Sequence, residues 1–168
     1  VPVATLTPGE PMLFMGEGFR VHATSATTGG RFLIAEIISR PAGGPRHLHS
    51  HEAAEQYMCL DGVITVITED GVHRLAPLES LTIRPWLAHT YRNLGDSPAR
   101  LLCTLSPPDD MEAFLLAVCE PVSDPGAALP EVTREQSDHA MALAARHGMR
   151  IHGEYDPSVL GHGAVPRG

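Results

Sequence analysis

Residues 43–62 read Gly-Gly-Pro-Arg-His-Leu-His-Ser-His-Glu-Ala-Ala-Glu-Gln-Tyr-Met-Cys-Leu-Asp-Gly. Side chains on a strand alternate with a period of two, so His47, His49 and His51 share one face. Glu55 lies four positions beyond His51 and enters the same space if the chain bends and the next strand begins there. Two imidazoles and a carboxylate converging on one point outline a first-row transition-metal site. The residues alone allow His47 with His49, or His49 with His51, as the imidazole pair. The competing reading is a solvated histidine-rich loop. The full spacing of Gly43, His49, His51, Glu55 and Gly62 favours the metal site. A third imidazole from a later strand would complete the set.

The composition bounds what such a site can serve. A chain of 168 residues suits one domain with a real core. Its 43% hydrophobic and 19% charged residues are those of an ordinary globular domain rather than a disordered one. The formal net charge is -8, with no basic footprint, which argues against nucleic acid or an anionic membrane as partner. All 12 basic residues are arginine, so Schiff-base chemistry and lysine-dependent phosphate loops are excluded. Cys59, Cys103 and Cys119 are odd in number and widely spaced, and read as buried or free thiols in a reducing compartment. With no signal-peptide pattern and no long apolar run, the expected location is the cytoplasm.

Outward from the histidine stretch the chain reads as short strands. An arm rich in proline covers residues 1–11, strands are expected at 12–15, 19–25 and 31–40, and residues 27–30 read as a turn. After the histidine strand, residues 55–60 and 63–68 flank Asp61-Gly62 and read as a hairpin, and Asp70-Gly71 repeats the device before 72–75. Further strands are expected at 80–84, 88–94 and 99–105. This run, with no helix inserted, argues for an all-β antiparallel jelly-roll barrel. A short C-terminal helical extension follows, with helices expected at 111–119 and after a Thr133/Gln136 capping box, ending at Gly148. The expected division is a β-barrel over 1–106, the helical extension over 107–155, packing on or over the barrel, and a tail over 156–168.

The stretch 43–62 resembles the first motif of the cupins, G-x5-H-x-H-x3-E-x6-G, at every fixed position. That register selects His49 and His51 and leaves His47 as a neighbour. His89 and Asn93 match the H-x3-N end of the second cupin motif, whose two glycines and proline are replaced here by Leu78, Trp86 and Arg84. Pro85 is then expected to supply the turn. The resemblance implies a jelly-roll fold, pairing into a homodimer through N-terminal strands, and His49, His51, Glu55 and His89 as ligands of one divalent ion. The sequence does not choose among Ni, Fe, Mn, Co, Cu and Zn. Tyr57, Trp86, Tyr91 and His47 are candidates for a substrate pocket, with core packing the plainer reading of the two tyrosines.

Residues 12–155 are similar to the single-domain bacterial quercetinases, the flavonol dioxygenases. That resemblance implies an enzyme, a metal-dependent dioxygenase taking a small-molecule substrate and dioxygen, in which Glu55 is the catalytic base. The alternative is a non-redox polyketide cyclase or isomerase, with the metal as Lewis acid. A non-enzymatic small-molecule-binding cupin ranks third.

Overall fold

Alternation of apolar and polar side chains builds the two faces of each strand. In Glu17–Ala23 (β2) Phe19 and Val21 are buried while Arg20 and His22 are exposed. The computed structural model describes residues 5–122, 124 and 127–161. Parts of the expected arm, linker and tail lie outside these residues.

Among the described residues, twelve strands form two antiparallel sheets. The larger has the order Glu120–Pro121 (β11), Pro11–Phe14 (β1), β2, Leu33–Ser39 (β3), Ala99–Ser106 (β10), Ala54–Asp61 (β5) and Ser80–Ile83 (β8). The smaller runs Arg150–Glu154 (β12), His47–Ser50 (β4), His89–Arg92 (β9), Ile64–Thr68 (β6) and Gly71–Leu75 (β7). Their inward faces share one core. Val21, Leu33, Ala35, Leu101 and Leu105 of the larger sheet join Ile64, Val66 and Leu75 of the smaller. Each large side chain so buried stabilises the fold by about 1.5–3 kcal/mol.

The expected jelly-roll barrel does not form. The larger sheet ends in β11 and β8 and the smaller in β12 and β7, and among the described residues no ladder joins one sheet to the other. Barrel closure requires hydrogen bonds between first and last strands, and these edges lack them. The expected 61–62 hairpin is overturned for a related reason. β5 pairs with β10 and β8, whereas β6 pairs with β7 and β9, so Asp61-Gly62 carries the chain from one sheet to the other. Gly62 adopts φ 75°, and a Cβ there would lie 2.9 Å from Ala99 Cβ, so both conformation and space call for glycine. The Asp70-Gly71 turn does close a hairpin, with Thr68 opposite Gly71.

Helices also enter earlier than expected. Ser25–Thr28 (α1) replaces a simple turn between β2 and β3, with the Thr24 N–H donating to Thr27 Oγ1 at 2.9 Å. Asp109–Val118 (α2) and Arg134–Arg146 (α3) follow the strands. The Thr133/Gln136 capping box is present, and Gly148, at φ 82°, follows the end of α3. The segment after α2 returns one strand to each sheet, β11 beside β1 and β12 beside β4. No helix among the described residues is long and apolar enough to cross a membrane.

Candidate metal centre

Strand register brings the histidines together. His49 on β4 stands directly opposite His89 on β9, and their ring centroids are 4.6 Å apart. His51 follows β4 by one residue, and its backbone carbonyl accepts from the Trp86 N–H at 2.8 Å, which ties it to the turn before His89. Glu55 comes from β5 of the other sheet, so the group bridges the two layers. One ligand atom from each of His49, His51, Glu55 and His89 lies within 4.8 Å of all the others. Glu55 Oε2 is 3.0 Å from His51 Nε2 and 2.9 Å from His89 Nε2.

The orientation of the rings tests whether these residues suit a cation. His51 Nδ1 lies 2.9 Å from the Ala53 carbonyl, His89 Nδ1 2.7 Å from the Leu87 carbonyl, and His49 Nδ1 3.4 Å from the His47 carbonyl. Carbonyl oxygens only accept, so Nδ1 carries the proton and, in a neutral ring, Nε2 presents a lone pair. Two such lone pairs then face a carboxylate oxygen. Acceptors converging in this way need protons or a metal cation between them. The donor set fits a divalent transition-metal ion, with the backbone carbonyls fixing the ring orientation.

The electrostatics describe the same site with protons in place of metal. Burial, reinforced by the charge of His89, drives His49 down to about 3, so its ring is neutral. Burial also opposes charge on His51, but the Glu55 carboxylate outweighs it and holds His51 above its ordinary value. Burial would raise Glu55, yet hydrogen bonds from His51 and His89 hold it well below the carboxylate range. Its other oxygen, Oε1, accepts from the Cys103 thiol at 2.7 Å. Cys103 reads in the sequence only as a small buried residue, and nothing local marks it as a partner of Glu55.

His49 and Glu55 open onto a cavity of about 560 Å³. Its wall is mixed: Phe14, Phe19, Met111 and Phe114 form an apolar side, Arg40, Arg46 and Arg92 a charged one, and α3 contributes Ser137 and Met141. His47, Tyr57 and Tyr91 also line it. Trp86 does not: it is half-exposed and lies under the Arg150 guanidinium, 4.1 Å from its ring. Trp86 and Leu78, the residues at the two glycine positions of the second motif, adopt φ 65° and 68°. The left-handed turns are therefore kept without glycine, at a cost of about 1–2 kcal/mol each.

The sequence reading missed Glu17. This buried carboxyl accepts from Ser39 Oγ at 2.5 Å and from the Tyr91 hydroxyl, and burial raises its pKa despite those bonds. Gly43 borders it, where a Cβ would collide with Glu17 Oε1 and lie 2.7 Å from Ser39 Oγ. The β2–β3 pairing brings Glu17 to this place, and no local pattern announces it. Asn93, the last residue of the second motif, is structural. Its amide donates to the carbonyls of Ser39 at 2.9 Å and Ser97 at 2.8 Å.

Comparison with known proteins agrees with this architecture. Residues 36–105 match the family model described as Cupin domain. A cupin-2 domain from Rhodospirillum rubrum is 22% identical, with a TM-score of 0.52, over 63% of this chain and 75% of that one. An RmlC-like cupin from Shewanella frigidimarina is 15% identical, with a TM-score of 0.52, over 66% and 97%. A sugar phosphate isomerase from Silicibacter pomeroyi is 21% identical, with a TM-score of 0.46, over 54% of this chain; the match spans 59% of the isomerase. At these identities the likeness is one of fold. A comparison with curated proteins found no match.

Proposed function

Proceeding from residues 36–105 as a cupin domain, we propose that the protein is a metal-dependent dioxygenase of an enolisable aromatic, flavonol-like small molecule. The observation that carries this reading is that His49 and Glu55 belong both to the three-histidine, one-glutamate group and to the wall of a cavity with an apolar side formed by Phe14, Phe19, Met111 and Phe114. A volume of about 560 Å³ suits a small aromatic ligand. A divalent ion held by His49, His51, Glu55 and His89 would supply Lewis acidity toward a substrate oxygen and favour its anion.

The chain supplies the rest. Glu55 is the acid of the group, and it takes the substrate's hydroxyl proton at Oε1, the oxygen turned away from the imidazoles. A carboxylate held well below its usual range is a weak base, so the hydroxyl must itself be acidic, as in an enol or phenol. The Phe14, Phe19 and Phe114 rings hold the aromatic body and keep water from the enolate or phenolate that deprotonation of the hydroxyl forms. Dioxygenation places both oxygen atoms in the product and consumes no external reductant.

Oxygen uptake by protein reconstituted separately with Ni, Fe, Mn, Co, Cu or Zn, with quercetin as substrate, tests the reading. Uptake above the metal-free control with at least one ion is the expected result. No uptake with any of them would favour the non-redox cyclase or isomerase chemistry instead.

A further inference from the structure

The protein carries a net charge of -8, yet one wall of its cavity is cationic. Arg40 and Arg46, from the segment joining β3 to β4, and Arg92 from β9 all line it. Among the described residues none of the three has a carboxylate within ion-pair distance. For an exposed arginine such as Arg46 this is unremarkable. Arg92, however, is only 5% exposed. Its terminal nitrogens donate to the carbonyls of Gly44 at 2.5 Å and Ala42 at 2.7 Å, and its Nε has no partner. Arg40, half-buried, also leaves a buried Nε without a partner.

A cation withdrawn from water is normally compensated by a counter-ion, because its desolvation is costly. The acids of the same cavity do not serve. Glu17 is the one whose charge acts on both Arg40 and Arg92. It is a single carboxyl against two guanidinium groups, already engaged by Ser39 and Tyr91 and pushed toward its neutral form by burial. Glu55 faces the histidines and Cys103, Asp138 lies 3.9 Å from Arg134, and Glu154 is exposed. We propose that the substrate carries a carboxylate, which seats against the guanidinium groups of Arg40 and Arg92 on the wall formed by residues 40–46 and β9. Guanidinium groups match a carboxylate in charge and in donor geometry. The apolar side of the cavity takes the aromatic body, so within the enolisable aromatics the preferred substrate is an aromatic acid with an ionisable hydroxyl, and quercetin, which has no carboxylate, is the poorer member of the class. This inference rests on the cavity being the substrate chamber.

The test is calorimetric titration with two probes of one shape, 4-hydroxycinnamate and its uncharged amide, 4-hydroxycinnamamide. It is run on metal-loaded and metal-free protein. The carboxylate is expected to bind about tenfold tighter or better in both states. In Arg40→Met, whose replaced side chain leaves its Nε without a partner, the preference should fall to about threefold or less, with amide affinity unchanged. Arg92→Met provides the second variant, with its folding checked by circular dichroism. Equal affinities, no binding of either probe, a preference that survives in both variants, or one that appears only with metal would overturn the proposal. Since the titration consumes no oxygen, its failure is distinct from a negative quercetin assay.

Discussion

Replacing Glu55 by glutamine is expected to lower oxygen uptake by about two to four orders of magnitude while leaving the chain folded. The substitution keeps the shape of the side chain and removes its charge and its basicity. Glu55 is buried, with Oε2 against two imidazole nitrogens and Oε1 against the Cys103 thiol. An amide fills the same space but cannot accept the substrate proton. The loss also reaches His51, whose raised pKa comes from the Glu55 carboxylate. With that carboxylate gone, only the hydrogen bond to the Ala53 carbonyl opposes burial, and the His51 pKa falls. The measurement is the rate of oxygen uptake in the reconstituted variant beside its far-ultraviolet circular dichroism. Uptake near the unmodified rate in a folded, metal-bearing variant would remove Glu55 from the chemistry.

The second large effect concerns stability, and its sign changes with pH. His49 is held down to about 3, below its unfolded value of 6.5. The unfolded chain therefore binds a proton there between about 3 and 6.5 that the folded chain does not, and stability rises with pH across that window. His51 is held above 6.5, so its contribution is fully present below that value and is lost as pH rises through its folded pKa. Glu55, held low, contributes stability above 4.5 that is lost as pH falls. The metal-free protein should thus be most stable near pH 6.5.

A metal ion must displace the His51 proton, so its affinity rises with pH until that proton is gone. At a free metal concentration of about one hundred times Kd, the ion adds about 2.7 kcal/mol. For a chain of this size that is about 5–10 °C in Tm. Thermal melts from pH 5 to 9, with and without metal, should show the increment growing above pH 6.5. An increment that is flat with pH would mean that binding displaces no proton.

How much of this was legible in the sequence depends on the range over which each feature is encoded. The meeting of His49, His51 and Glu55 follows from strand alternation and one bend, both written into local spacing. His89, by contrast, arrives through the pairing of β4 with the distant β9 and was reached in the sequence only through its resemblance to the second cupin motif. The Thr133/Gln136 cap and the Asp70-Gly71 turn are equally local. Asp61-Gly62 carries the same turn chemistry, but that chemistry does not say which sheet the next strand will join. Whether two sheets close into a barrel depends on pairing between distant edges, and the expected closure was wrong. Glu17 and Arg92 escaped notice because an isolated acid or arginine in a strand reads as surface until pairing buries it. The alternation from Arg150 to Glu154 was a readable strand signal, overshadowed by the helix before it. Leu78 and Trp86 carry a different lesson. A residue other than glycine can hold the left-handed backbone that glycine favours.

The central claim is that His49, His51, Glu55 and His89 hold one metal ion. The most direct test is elemental analysis of protein equilibrated with Ni or Zn and freed of loosely bound ions, beside a His49→Ala/His89→Ala variant that remains folded. About one equivalent per chain is expected in the unmodified protein and close to none in the variant. A full equivalent retained by the variant, or none bound by the unmodified protein, would contradict it.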